Sequence, residues 1–498
     1  MLSFLHPKVA RFGFDRTQAL LLVIFVLVNV GLFMYSVDTR PYPDGPLVSA
    51  TYQSAADGQR YWGVALSLAE KGSFSVPPLW DSRPEYPLSR SGPLTSLIFA
   101  IPIKLFGFDT AAIAIVILQC ALLYVMAFAA RSLAKPFQTN PTLLQGLILF
   151  NPNLIGLSHL AQSDLFFAGL FTLFLSYFTR LMSQPDNIRI RSFLWLGVLL
   201  GLLTMTRDIG FAFSLFFPAA LFMTIILHPA RSLISKKRLV FGFFAGLLVY
   251  TVLITPWSIR NYMVFGQLSP TISQTSQLHY NYLRLKYLEG GNSEEQRNQY
   301  IAAQINALLV DEGNTHCAEK SPSTSHEGCI RALQKAYLTA IFSEPKLLIS
   351  KAVVYAAVRT LFSGGSSRLV NYLGLSKNEP SASLMATFYG MTGLRNFMAE
   401  IKANGIGHTV IFFTFTGFTL LARLTGLIGI YWALRHWSDS RYIQIFHLLI
   451  VGFFLVAYFA VSTSRFRAPL EPILMLYATI GLSLIAPALG VKNTHELK

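Results

Sequence analysis

The residues of this chain that could do chemistry are few, and they stand at the ends of long apolar runs. Asp57 and Tyr61 occur in "DGQRYWGVALSLAEKGSF", Asp164 in "QSDLFFAGLF", Arg207 beside Asp208 in "TMTRDIGF", Arg260 in "TPWSIRNY", and Arg465 with Arg467 in "STSRFRAPLEP". Ionisable groups near a membrane interior are costly, so each is a candidate for function. A carboxylate can take the proton of an attacking hydroxyl, and guanidinium forks hold phosphate oxygens. Asp57, Asp164, Arg207, Arg260 and the Arg465/Arg467 pair come from separate segments, yet the topology that the charge pattern dictates puts them on one side. Acids and several arginines at a membrane-facing pocket suit a phosphate-bearing lipid and a hydroxyl nucleophile. Each residue also has a plainer reading. Any of the arginines can snorkel at the interface, and Asp164 or the Arg207 and Asp208 pair can tie span ends together.

The elements that must position these residues are membrane helices. Of 498 residues, 53% are hydrophobic and only 13% charged, too apolar for an ordinary soluble protein. The formal net charge of +16 does not point to nucleic acid, because the Lys and Arg residues sit in short clusters between apolar runs. Ten runs have the length of a span, at about 19–35, 110–130, 142–160, 164–180, 192–207, 209–228, 239–257, 406–433, 442–462 and 468–488. The expectation is an all-α polytopic membrane protein with about ten transmembrane helices.

An eleventh apolar stretch, 92–108, is short and interrupted by Pro93 and Pro102. If it does not cross, the basic clusters Lys8/Arg11/Arg16, Arg131/Lys135, Arg180/Arg189/Arg191, Arg231/Lys236/Lys237/Arg238, Arg435/Arg441 and Lys492/Lys498 all fall inside. If it crosses, every cluster after the first moves outside. It is therefore read as re-entrant or surface-lying. Both termini are then cytoplasmic, in an inner or plasma membrane, and the N-terminal run is a retained anchor. Two large loops, 37–109 and 258–405, face outward. The first carries a helical pattern over 55–71 that suits a juxtamembrane helix, with an interfacial amphipathic helix as the plain alternative. The second holds polar helices and a half-sunk amphipathic stretch near 345–365. The chain divides into three units: an N-terminal transmembrane module with the first loop (1–257), the large loop (258–405) and C-terminal transmembrane helices (406–498).

Cys120 lies in a span, whereas Cys317 and Cys329 share the large loop, where oxidation can join them in a disulfide. There is no CxxC pair, HExxH, Walker loop or GxGxxG after a strand, so metal and nucleotide signatures are absent.

An ordered series of segments resembles the GT-C glycosyltransferases, especially the branch with protein O-mannosyltransferases (glycosyltransferase family 39) and the aminoarabinose transferase that acts on lipid A. The series is "DGQRYWGVALSLAEKGSF", "YPLSRSGPLTSLIFAIPIKLFG", "NPNLIGLSHLAQSDLFF", "GLLTMTRDIGF", "TPWSIRNYMVFGQLSP" and "RFRAPLEPILMLYATIGL". One departure is that Asp57 is followed by Gly58, where many mannosyltransferases of the group carry a second acid; this leaves the acceptor class open. The resemblance implies sugar transfer from a polyprenyl-phosphate donor to an acceptor hydroxyl of a glycan, lipid or protein on the outer side. It implies inversion, no metal and no cofactor. Asp57 would be the general base, with Asp164 as the alternative. Arg465, Arg467, Arg83 and Arg260 would hold the donor phosphate, and Tyr61 and Arg207 would orient substrate. A lipid-linked oligosaccharide ligase stays open as a rival. A secondary transporter is the remoter one, since no internal repeats are visible.

Overall fold

The computed structural model describes residues 16–39, 56–77, 85–88, 92–184, 188–228, 236–271, 274–289, 294–317, 329–375, 391–458 and 464–488. Helix α1 (Arg16–Thr39) precedes a loop that holds α2 (Ala56–Lys71), an antiparallel hairpin of β1 (Ser75–Val76) with β2 (Tyr86–Pro87), and α3 (Pro93–Phe106). Next come α4 (Phe108–Ala134), the short α5 (Pro141–Leu149) and α6 (Pro152–Ser158), then α7 (Ser163–Met182), α8 (Ile190–Thr206), α9 (Asp208–Leu227) and α10 (Lys236–Phe265). A lobe of α11 (Gln274–Tyr287), α12 (Glu294–Asp311) and α13 (Cys329–Ser343) leads to the bent pair α14 (Lys346–Phe362) and α15 (Ser366–Tyr372). Helices α16 (Met391–Arg435), α17 (Trp437–Ala457) and α18 (Glu471–Ala488) complete the chain.

Among the described residues, eight helices are long and apolar enough to cross a membrane, or nine if α14 and α15, bent by 55°, form one broken span. The fold is that of an all-α integral membrane protein, and two of the ten expected spans depart from a plain long helix. The run at 142–160 is broken where Pro152 opens a new helix, its end capped by the Asn151 side chain accepting from the Leu154 N–H at 3.3 Å. Helix α8 has 17 residues, about 25 Å at 1.5 Å per residue and at the short end of span length, yet it brings Arg207 back to Asp164 at the start of α7 and so traverses the same depth as α7. The doubtful stretch 92–108 forms α3, a 14-residue helix that Gly107 ends at a φ of 81°, too short to cross upright.

Helix α7 is the centre of the bundle. Phe167, Phe171, Phe174 and Phe178 recur on it every three or four residues and so share one face. That ladder meets Phe213 of α9 at 5.0 Å, Phe217 of α9 at 4.9 Å and Phe446 of α17 at 4.2 Å between ring centroids. Ring contacts of this kind fix α7, α9 and α17 relative to one another. Glycines bring other helices close: a Cβ on Gly197 of α8 would lie 2.2 Å from the Gly246 carbonyl of α10, the close packing that small residues permit in membranes.

The lobe has its own core of Tyr282, Leu285, Ile301, Ile305, Leu333 and Tyr337. Cys317 and Cys329 form a disulfide, Cα atoms 5.3 Å apart, which ties the segment after α12 to the start of α13. Inside the lobe Lys286 is bonded to Glu344 at 2.7 Å and Glu289 at 3.1 Å, so its buried charge is matched.

Candidate active site

Asp57 stands in the first turn of α2, where a carboxylate complements the positive end of the helix dipole. Residues one turn further along pin the helix in place. The Tyr61 and Ser163 hydroxyls share a hydrogen bond of 2.7 Å, and Trp62 is wholly buried, its ring edge-on to Phe108 at 5.5 Å. Tyr61 and Trp62 join Phe99 and Ile103 of α3 and Phe166 of α7 in one apolar cluster. The amphipathic pattern read at 55–71 is thus the docking face of a packed helix, and the carboxylate is held at its open end.

Arg465 lies in a 3-10 turn, Ser464–Leu470, just before α18, and its Nη1 is 2.5 Å from the Asp57 carboxylate. Arg60 adds a second guanidinium at 3.7 Å. Burial pushes the Asp57 carboxyl up, but Arg465, Arg60 and Arg207 outweigh it and hold the carboxyl well below the usual range. Asp164, only 4% exposed, is bonded to Arg207 at 2.5 Å, and Arg207 also reaches the Ser163 hydroxyl at 3.4 Å. Burial raises the Tyr61 hydroxyl's pKa, so it stays protonated and able to donate.

Several of these groups border a cavity of about 740 Å³. Asp57, Arg60, Tyr61, Arg207, Asp208 and Arg465 supply its charged and polar wall. Further lining comes from Ala457, Tyr458 and Phe466 near α17 and α18, and from α11 and α13 of the lobe. Ala457 also belongs to a second hollow, an apolar groove of about 590 Å³ between α9 and α17. Phe216, Leu449, Phe453 and Val456 line that groove, and the position of Gly452 in it opens on free space. The charged cavity and the apolar groove thus adjoin, with Ala457 in the lining of both.

Of the residues singled out in the sequence, Asp57, Tyr61, Arg207 and Arg465 meet at the cavity. Asp164 does not line it and sits behind Arg207 as an ion-pair partner. Arg467 is a correction. It is 1% exposed, bonds Glu471 one helical turn on, and donates to the carbonyls of Thr360, Leu361 and Ser363 at 2.9, 3.1 and 2.7 Å. Arg423 of α16 completes the cluster, 3.1 Å from Glu471. Arg467 uses its Nε and Nη1 to tie the end of α14 to α18 and does not line the cavity. Arg260 is corrected in the same way: it donates to the Leu88 and Phe74 carbonyls at 2.7 and 3.3 Å and lies over Trp257, fastening the hairpin. Arg83 falls outside the described residues.

Two groups at or behind the cavity wall escaped the sequence reading. Asp208, noted there only beside Arg207, contributes a carboxylate bonded to Thr271. Arg368 of α15 lies close enough to feel the charges of Arg465, Asp164, Asp57 and Arg207, yet no described carboxylate is within 4 Å of it and its buried Nη1 has no hydrogen-bond partner. The signal that could have found Arg368 is the pair Gly364 and Gly365 just before α15, a chain-breaking doublet inside an apolar stretch. Gly365 has a φ of 79°, and a Cβ there would lie 2.6 Å from the Ser464 hydroxyl and 2.7 Å from Asn153. Only glycine lets the chain turn there and carry Arg368 toward the site.

Neither a family model nor a curated protein matches this chain. Solved structures do. An oligosaccharyltransferase of Archaeoglobus fulgidus, tethered to an acceptor peptide, matches at 13% identity and a TM-score of 0.49, over 97% of this chain and 52% of its own. The archaeal AglB in complex with an inhibitory peptide and a dolichol-phosphate matches at 12% identity and 0.49, over 95% and 50%. ArnT from Cupriavidus metallidurans bound to undecaprenyl phosphate matches at 16% and 0.35, over 95% and 81%. The chain thus spans about half the length of the archaeal enzyme.

Proposed function

We propose that the chain is a membrane glycosyltransferase that moves a sugar from a polyprenyl-phosphate donor to an acceptor hydroxyl on the extracytoplasmic side. The observation that carries this reading is that a cavity rich in arginine adjoins an apolar groove at Ala457. A lipid whose phosphate sits among guanidiniums while its isoprenoid tail stays in hydrocarbon has the same division of character.

In this reading Asp57 accepts the proton of the acceptor hydroxyl as its oxygen attacks the anomeric carbon. The bond from that carbon to the phosphate oxygen breaks, the electron pair leaves with the phosphate, and the new glycosidic bond is inverted. Arg465 and Arg368 meet the charge of the departing phosphate, with Arg207 beside them. Asp57 bonded to Arg465 is a weak base. An arriving phosphate competes for Arg465, and as the guanidinium turns to it the carboxylate regains basicity. The donor thereby readies its own catalyst. Asp57 and Asp164 are already matched by arginines, so guanidinium charge takes the part that a cation plays elsewhere.

Three units are proposed as drawn in the sequence, 1–257, 258–405 and 406–498, with both termini cytoplasmic. Reporter fusions after Lys135 and after Ser293 test the sidedness; an outside signal at the first or an inside signal at the second overturns it. The reaction is tested with purified protein and a radiolabelled monosaccharide-linked polyprenyl phosphate. Label passing to an acceptor fraction is the expected result. Transfer only from a lipid-linked oligosaccharide would move the protein to the ligase reading.

A further inference from the structure

Helix α11 presents two different faces. Tyr282 and Leu285 enter the core of the lobe, while Gln277, Tyr280, Asn281 and Arg284, spaced by three or four residues, line the cavity. None of these cavity residues borders the apolar groove, so the surface they form is separate from the path that suits a lipid tail. It is also polar where a tail would need hydrocarbon. Asn281 is only 7% exposed, and its buried Oδ1 accepts no hydrogen bond from any described residue. A buried amide oxygen without a donor is costly, and a ligand hydroxyl placed there would satisfy it. Tyr280, 47% exposed, offers on the same face a flat aromatic ring of the kind on which the CH face of a sugar rests. Arg284 is exposed, stacks loosely over Tyr287 at 5.9 Å, and has no described carboxylate within 4 Å. Its charge is unmatched in a wall whose acids, Asp57 and Asp208, lie on other elements.

We propose that this face of α11 is an acceptor subsite for a saccharide that carries an anionic group. Asn281 accepts from a ring hydroxyl, Tyr280 supports the ring, and Arg284 reads the charge. The inference rests on the transferase reading for the word acceptor, while saccharide recognition at this face stands by itself. The disulfide Cys317–Cys329 steadies α13, whose Gln334 and Leu338 complete the same wall.

The test measures binding to the full-length protein in nanodiscs, using a galacturonic acid hexamer, maltohexaose and undecaprenyl phosphate as probes. The acidic hexamer should bind about tenfold or more tighter than the neutral one. Asn281→Ala and Tyr280→Ala should weaken the acidic hexamer about tenfold, Arg284→Gln should erase the acidic preference, and undecaprenyl phosphate should bind all three variants as it binds the wild type. Tyr280 and Arg284 are exposed, so their variants decide the matter even where Asn281→Ala fails to fold. No saccharide binding by the wild type, or equal binding by the variants, overturns the proposal. Loss of undecaprenyl phosphate binding in the variants, with the saccharide unaffected, would give the face to the donor and overturn it too. Absence of undecaprenyl phosphate binding in the wild type, with the saccharide pattern as expected, would remove the donor reading and leave this subsite standing.

Discussion

The carboxylate of Asp57 and the guanidinium of Arg465 lie 2.5 Å apart, joining the first loop of the chain to the turn before its last helix. The pair fixes the carboxylate at the rim of the cavity and keeps it ionised. Asp57→Asn keeps the shape and removes the basicity. Turnover should fall about 10²- to 10⁴-fold, with undecaprenyl phosphate binding preserved. Near-normal turnover in Asp57→Asn, alongside its loss in Asp164→Asn, would transfer the role of base to Asp164.

Arg465 and Arg467 should fail in different ways. Arg465→Ala should express and fold, with a smaller loss of melting temperature than Arg467→Ala, yet lose transfer. Arg467→Ala leaves Glu471, which is 0% exposed, with Arg423 alone. Breaking a buried pair in this manner costs on the order of 3–5 kcal/mol, so poor expression and an early melt are expected. Thermal unfolding of both purified variants decides it, and a fully stable Arg467→Ala would contradict the assignment.

Arg368→Gln removes a guanidinium that no described carboxylate matches within 4 Å. Its loss should weaken undecaprenyl phosphate about tenfold or more, as for a charge-assisted bond of roughly 1.5–3 kcal/mol, without lowering the melting temperature. A large drop in stability with donor affinity unchanged would make Arg368 a structural residue.

Gly452→Trp tests the groove. A side chain at this position meets open space, so the helix should tolerate it while the channel fills. Donor affinity should fall and stability should not. Unaltered binding of undecaprenyl phosphate would show that the tail runs elsewhere.

The pH dependence has a defined sign. Arg465, Arg60 and Arg207 keep the folded Asp57 below the ordinary Asp value near 4, so on acidification the unfolded chain takes up its proton first. The stability from this carboxylate is therefore complete above about pH 4 and is lost as pH falls further, through the folded value. The gap in melting temperature between wild type and Asp57→Asn should be level from pH 8 to about 5 and narrow only below about 4. Narrowing already between pH 7 and 5 would show that the arginines do not hold the group low.

Apolar length and charge placement made most of the membrane fold legible, because span length is a direct consequence of bilayer thickness. Asn151 and Pro152 hid a helix break inside a run whose hydropathy is continuous, and composition alone cannot see such a break. Arg465 and Arg467 were read together as phosphate ligands for a similar reason. In a turn of three residues, side chains two apart diverge, and only Arg465 reaches the cavity. Glu471, four residues after Arg467, was the available sign of an internal partner. Arg260 lost its assignment to the carbonyls of the hairpin, which are set by tertiary contact and carry no side-chain signature.

The corner at Gly365 has a mechanical consequence. Arg467 nails the carbonyls leading into it, and Asn153 and Ser464 crowd it from the other side. The far root of the lobe is thus riveted to the frame that bears Arg465, so the lobe is a replaceable head on a fixed chassis. Exchanging residues 274–344 for a foreign helical lobe should alter which saccharide is captured while Arg368 keeps its station, and undecaprenyl phosphate bound by such a chimera with unchanged affinity would demonstrate it.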